Sequence, residues 1–251
     1  MKLVRDTWLI FQYEVVLLVS SPVNVAITLI QPITYLLIFT PFLKSVMHVS
    51  SYGSAYAIYV PSLFAAMGVF SGMFAGFALL AAIHQGVVTR CRVTPISRGS
   101  LLLGRVGMYV LLVGFQGVVV TVVAVAFGLR VPVGNFLYAL VLLSLMVVLS
   151  VSLGYDLALL VPRENTLGNL INSLAQPLSL LAGCLIPLSV APLWVQRVAD
   201  WNPFAWGTNG MRTILQGRLG ANVIWEAPLI MALVALVTVV LSSRLFSREI
   251  A

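Results

Sequence analysis

The sequence predicts an all-α integral membrane protein with six transmembrane helices. Three observations carry that prediction. Only 21 of 251 residues are charged, 14 basic and 7 acidic, while 61% are hydrophobic. A soluble domain carries about a quarter charged residues, so these cannot cover a water-facing surface. The same hydrophobicity excludes a disordered chain. Third, the basic residues stand mostly singly between long apolar runs. They therefore set membrane orientation rather than form a nucleic-acid surface, despite the net charge of +7.

The elements follow from counting between charges. A bilayer core about 30 Å thick takes roughly 20 helical residues to cross. Uncharged stretches run over residues 15–43, 45–89, 106–129, 131–155, 165–196 and 227–243. The second opens with a polar segment, His48 and Ser50 to Ser54, which leaves one span within it. Six spans result, at about 22–43, 58–83, 105–128, 136–160, 168–188 and 226–243. These runs are Val/Leu-rich and too long for the alternating strands of a lipid-facing barrel. The whole chain, 1–251, reads as a single transmembrane domain.

Residues 1–21 contain Lys2, Arg5, Asp6 and Glu14, so no uninterrupted apolar run of a cleavable signal opens the chain. Val4, Trp8, Phe11, Val15 and Leu18 instead recur at spacings of 4, 3, 4 and 3. That periodicity predicts an amphipathic helix in the membrane interface, against the plainer alternative of a frayed tail. Ser20, Ser21 and Pro22 then start the first span. With the N-terminus inside, nine Lys and Arg fall on the cytoplasmic side and five outside. Both termini are thus expected in the cytoplasm. Cys91 and Cys184 fall on opposite sides and are not expected to pair.

Several chemistries are missing from the sequence. A phosphate-cradling loop needs Gly-Lys-Ser/Thr. Neither lysine, Lys2 or Lys44, follows a glycine. The chain is therefore expected not to hydrolyse ATP by such a loop. His48 and His84 stand alone, with no metal-ligand spacing. No Gly-Xaa-Ser-Xaa-Gly elbow is present, and Ser71 has no deep histidine to activate it. Asp156 is the one acidic residue well inside a span. It reads either as a packing or gating residue or as the coupling site of an ion-driven carrier.

Polar residues in spans are costly unless they pair or face a cavity. Asn24, Thr28, Gln31 and Tyr35 share one face of the first span. Asn165, Asn169, Asn172, Gln176 and Ser179 share one face leading into the fifth. These stripes must meet each other, a second subunit or a water-filled pathway. Interhelical hydrogen bonding alone would serve equally. Gly68, Gly72 and Gly76 form a small-residue ridge suited to close helix packing. Phe70, Phe74 and Phe77 beside it line a binding surface or face lipid. The basic loop 84–98 holds Gln85, Gly86, Val87, Val88, Thr89, Arg90, Arg92, Pro95 and Arg98. It is either an orientation anchor or a docking surface. Four of the five tryptophans (Trp194, Trp201, Trp206 and Trp225) follow the fifth span, which predicts short interfacial helices there.

One series of residues is more specific. Gln176-Pro177, Ala182-Gly183 and Pro187 are followed by Pro192-Leu193-Trp194, Asn202-Pro203 and Arg212. The series resembles the C-terminal signature of ABC-2 type transporter permeases, with Ala182-Gly183 in place of the commoner Ser-Gly. The daunorubicin-resistance and nodulation-factor exporter branch is the most similar in this pattern, and the six spans, interfacial helix and basic loop extend the resemblance over the whole chain. It implies the membrane subunit of an ATP-driven exporter in a bacterial or archaeal inner membrane. Two copies of a separate cytosolic ABC ATPase would bind the ATP and magnesium, leaving no cofactor on this chain. A second permease copy or a sister permease would complete the transporter, with membrane lipid around it and no nucleic acid. The loop from Gln85 to Arg98 would dock on the ATPase. Asn24, Gln31, Phe70, Phe74, Asn169, Asn172 and Gln176 would line the pathway or the seam between permeases. The cargo would be hydrophobic or amphipathic: a drug, a lipid or a glycolipid. An ion-coupled carrier using Asp156 and a non-transporting assembly subunit are the alternatives.

Overall fold

A computed structural model describes residues 2–49, 51–86, 98–161, 163–184, 188–217 and 223–249. Among these there are nine α-helices and no strand. They are α1 (Lys2–Val19), α2 (Pro22–Val46), α3 (Tyr52–His84), α4 (Arg98–Ala126) and α5 (Val133–Leu160), then α6 (Glu164–Leu181), α7 (Leu193–Ala199), α8 (Pro203–Leu215) and α9 (Val223–Glu249). A single 3-10 turn, Leu188–Val190, precedes α7.

Five of these helices are long and apolar enough to cross a bilayer: α2, α3, α4, α5 and α9. The helix expected over 168–188 is α6, which starts four residues earlier and ends at Leu181. Its stripe of Asn165, Asn169, Asn172 and Gln176 keeps it below the hydropathy of the other five. The polar run expected before the second span is shorter than its composition suggests, because α3 begins at Tyr52. There Ser51 caps the helix by accepting from the Ser54 amide. The helix expected over 105–128 is α4, which starts seven residues earlier and runs unbroken from Arg98 to Ala126.

The centre of the bundle is the crossing of α3 and α5, and the glycine ridge makes it. A Cβ on Gly72 would strike Ser150, one on Gly76 the Gly154 carbonyl, and one on Gly154 the Met73 carbonyl. Only backbones without side chains approach this closely. Around the crossing, Tyr59, Phe64, Leu142, Leu143 and Met146 are fully buried. In lipid such packing rests on dispersion and shape, since the tails are as apolar as leucine. Helices α9 and α2 present apolar rows outward. Leu229, Leu233, Leu236 and Val237 of α9, and Ile27, Ile30 and Ile38 of α2, are exposed at helical spacing.

Contacts between helix ends sort the connections into two sides. Glu14 of α1 pairs with Arg105 near the start of α4, and His84 at the end of α3 meets Glu164 at the start of α6, 3.7 Å apart. At the opposite end Asn135 Nδ2 donates to the Ile214 carbonyl and the Tyr138 hydroxyl to the Ile224 carbonyl. Consecutive long helices therefore run antiparallel.

The first helix departs from the expected face. Val4 and Trp8 are exposed, but Phe11 and Leu18 turn toward the protein. The packed side of α1 carries Asp6, Thr7, Ile10 and Glu14, and it lies on Gly104 and Gly107 of α4. Its exposed side carries Val4, Trp8, Leu9, Tyr13, Val16 and Leu17. The helix is amphipathic with its polar edge inward, an arrangement suited to lipid contact.

Of the short helices expected at the interface, α7 keeps Leu193, Trp194 and Val198 exposed. The other, α8, is a core element instead. Phe204, Gly207, Thr208, Gly210 and Met211 are buried, with Gly207 against Met146 and Gly210 against Ala227 and Leu142. The glycines let α8 sink between α5 and α9, which a count of tryptophans did not register.

Candidate functional site

A cleft of about 700 Å³ opens between α2, α3, α4 and α6. From α2 it takes Thr28, Gln31, Pro32 and Tyr35, and from α3 Tyr59, Met67, Phe70, Ser71 and Phe74. Helix α4 adds Tyr109, Leu112 and Gln116. Helix α6 adds Gln176 and Ser179, and Cys184 closes one end. Among the described residues, no Asp, Glu, Lys, Arg or His lines it.

Local structure explains why these side chains converge. The crossing with α5 fixes α3, so that its opposite face, Phe70, Ser71 and Phe74, looks into the cleft. The phenyl rings form a stack: Phe70 and Phe74 lie 6.5 Å apart, Phe74 and Phe77 5.8 Å. Phe77 leaves the cleft and packs on Gly168 of α6. On α2, Pro32 removes one helical donor beside the cleft and leaves the Thr28 carbonyl without it. Pro177 does the same to Ser173 on α6. Such breaks are tolerated at membrane depth where they line protein or a cavity. On α6 the buried face is Leu167, Ile171, Ala175 and Ser179, spaced by four.

The two polar stripes meet only in part. Thr28, Gln31 and Tyr35 face Gln176 and Ser179 across the cleft. Asn24 lies outside it, exposed near the start of α2. Asn165, Asn169 and Asn172 are exposed on the outward side of α6, with Asn172 Nδ2 donating back to the Gly168 carbonyl. Asp156 faces away from the cleft toward Ser242 of α9, and its Oδ1 is buried without a hydrogen-bond partner among the described residues. Three polar lining residues were not singled out from sequence: Tyr59, Tyr109 and Gln116. The signal for two of them exists. Tyr109 and Gln116 are seven apart on one face, and Gln116 is the lone carboxamide in the uncharged run 106–129.

The signature residues form a clasp at the Cys184 end. Asn202 caps α8 by accepting from the Phe204 amide at 3.1 Å, while its Nδ2 donates to the Leu178 carbonyl at 2.8 Å. Pro203 opens α8 in the first turn, where its missing amide costs nothing. Arg212 Nη2 donates to Ser62 Oγ at 2.9 Å and to the Gly183 carbonyl at 3.4 Å. Gly183 sits at φ 74°, a conformation that only glycine adopts cheaply. Burial pulls the Arg212 guanidinium down to about 10, which still leaves it charged at neutral pH. Pro192 precedes α7, and Trp194 is exposed upon it. Pro187 lies outside the described residues.

On the α1 side, Gln85 caps the end of α3 and Gly86 follows at φ 69°. Val87, Val88, Thr89, Arg90, Arg92 and Pro95, with Cys91, lie outside the described residues. Arg98 begins α4.

A family model of ABC-2 type transporters matches residues 5–215. The chain belongs to the ABC-2 type transporter family. The match runs from α1 to the end of α8 and so takes in the cleft, the clasp and the segment between α3 and α4. A comparison with curated proteins finds no match. An ABC-2 membrane domain is a permease, a multi-pass subunit whose partner is an ABC ATPase. The five long apolar helices agree with that placement in the membrane.

Proposed function

We propose that this ABC-2 permease is one half of an exporter that moves a hydrophobic or amphipathic molecule (drug, lipid or glycolipid) out of the cytoplasm, as in the daunorubicin-resistance and nodulation-factor branch. The observation that carries the reading is the cleft. It joins a phenylalanine stack to three carboxamides and continues through Gln176 onto the exposed amide face of α6. Such a face is poorly suited to lipid and well suited to a second permease or to water. Helix α6 is then the sixth span: its 18 residues measure about 27 Å, close to the hydrocarbon thickness. Asn169 and Asn172 belong to the seam, whereas Gln31, Phe70, Phe74 and Gln176 belong to the pathway wall. Asn24 marks the α1-side end of that wall.

The α1 side is cytoplasmic in this reading, with both termini there, in a bacterial or archaeal inner membrane. Two ATPase copies carry ATP and magnesium and dock on the segment from Gln85 to Arg98. A second copy of the chain, or a sister permease, supplies the other half. The test is reconstitution with the ATPase in proteoliposomes. Phe74→Ala should lower substrate-stimulated ATP hydrolysis and dye extrusion at least about tenfold, as when an aromatic contact and its buried area are lost. Unchanged extrusion by Phe74→Ala and Gln176→Leu together would remove the cleft from the pathway.

A further inference from the structure

We propose that the cleft selects its ligand by neutrality, taking an uncharged aromatic or alicyclic body that carries hydroxyl, amide or glycosidic oxygens, with Gln116 as the specificity-determining residue. The inference rests on the cleft being part of the transport pathway and adds to it the chemistry of what enters.

Three helices each contribute one carboxamide to the wall: Gln31 from α2, Gln116 from α4 and Gln176 from α6. None of the three side chains hydrogen-bonds to another described residue. Gln31 and Gln176 are exposed, so water meets their needs at the mouth. Gln116 is different. It is 4% exposed in the cleft wall, and its amide has no hydrogen-bond partner among the described residues. An amide with so little access to water gains from a ligand group that supplies its hydrogen bonds. Each carboxamide offers donors and an acceptor together, which matches hydroxyls, amides and sugar oxygens.

Charge is excluded by the same wall. Arg105, paired with Glu14, and Arg212, bonded to Ser62 and the Gly183 carbonyl, stand behind the wall and not in it. Among the described residues an anion therefore meets no cationic side chain in the wall, and a cation meets no carboxylate. The aromatic faces are no substitute. Phe70, Phe74 and Phe77 turn theirs on one another, with interplanar angles of 24° and 15°. A cation resting on a ring recovers less than its desolvation at membrane depth.

The experiment uses the full chain in lipid nanodiscs with its ATPase, and four dansyl amides that share one fluorophore. Their side arms end in a hydroxyl, an ethyl group, a carboxylate or a trimethylammonium. Fluorescence enhancement gives each Kd. The wild type should bind the hydroxyl probe at least about tenfold more tightly than either charged probe. Gln116→Met keeps the side-chain volume and removes the amide. It should weaken the hydroxyl probe about fivefold and leave the ethyl probe unchanged, the loss of one hydrogen bond. Equal or tighter binding of a charged probe overturns the inference, and so does a Gln116→Met loss shared by the ethyl probe. Either outcome leaves the pathway reading intact. Failure of all four probes to bind the wild type overturns both.

Discussion

Arg105 Nε stands 2.9 Å from Glu14 Oε1, and through that pair the first helix is tied to the fourth. Both side chains are largely buried, 14% and 16% exposed. The rest of the α1–α4 contact is close, with Gly104 admitting Ile10 and Gly107 admitting Phe11 around the buried pair. The ion pair therefore sets how α1 lies against the bundle. Arg105 also stands one turn before Tyr109, which lines the cleft.

Removing one partner should be worse than removing both. Glu14→Leu strands the guanidinium, whose Nη1 already lacks a partner among the described residues. We expect a loss of roughly 3 kcal/mol, with more than half recovered in the Glu14→Leu/Arg105→Leu double variant. Thermal unfolding of the purified protein in detergent measures it. Additive losses would show that the two charges act independently.

The α3–α5 crossing predicts a sharp contrast among glycines. Gly76→Val and Gly154→Val place side chains against backbone carbonyls that cannot move without parting the helices. Neither variant should yield monodisperse protein on size exclusion. Gly114 faces open space on α4. Gly114→Ala should be neutral or stabilising by about 0.5 kcal/mol, since alanine is the better helix former and nothing obstructs its methyl. A well-behaved Gly154→Val protein would mean the crossing is looser than its geometry.

The clasp should be separable into its two bonds. Asn202→Ala loses both the α8 cap and the bond to Leu178, for about 2 kcal/mol. Asn202→Ser restores a capping oxygen but does not reach the Leu178 carbonyl, and should recover about half. The check is the midpoint of denaturation for the three proteins. A Ser variant as weak as the Ala variant would assign the whole effect to the Leu178 bond.

These elements differ in how far the sequence disclosed them. The long helices were legible because a span must be apolar over its whole length, and charges mark its ends. The Gly68, Gly72 and Gly76 ridge was legible as packing because small residues at spacing four have few other uses in lipid. Its partner on α5 was not, since Ser150 and Gly154 gain meaning only from the crossing. The inward turn of Asp6 and Glu14 was illegible for a related reason. Periodicity finds a face, but it does not say whether protein or lipid receives that face. Gln31, Phe70, Phe74 and Gln176 come together in the cleft, whereas Asn169 and Asn172 share a stripe with Gln176 and stand outside it. A helical face spans about 100° of arc, and the cleft takes only one edge of it. Gln116 was legible only as the lone carboxamide of an apolar run, seven residues from Tyr109, a pair too short to stand out as a stripe.

The last prediction concerns how force enters the permease. Gly86 ends α3 in a left-handed conformation at φ 69°, with no atom of the described residues within 4 Å of where a Cβ would stand. Steric room is therefore no obstacle to substitution, and backbone conformation is the constraint. A valine there is disfavoured by roughly 1–2 kcal/mol, enough to redirect the chain as it leaves α3. An asparagine tolerates the same conformation. If residues 85–98 dock on the ATPase, Gly86→Val should abolish stimulation of ATP hydrolysis by substrate, and Gly86→Asn should retain it. The thermal stability of the bundle should stay within about 1 kcal/mol in both, because Gly86 packs on none of the described residues. The measurement is ATPase activity of the reconstituted complex with and without substrate, beside a pull-down of the ATPase. A Gly86→Val complex that assembles and is stimulated like the wild type would leave this segment as an orientation anchor. The contact that transmits force would then have to lie elsewhere on the α1 side, where Arg105 and Glu14 already join two helices.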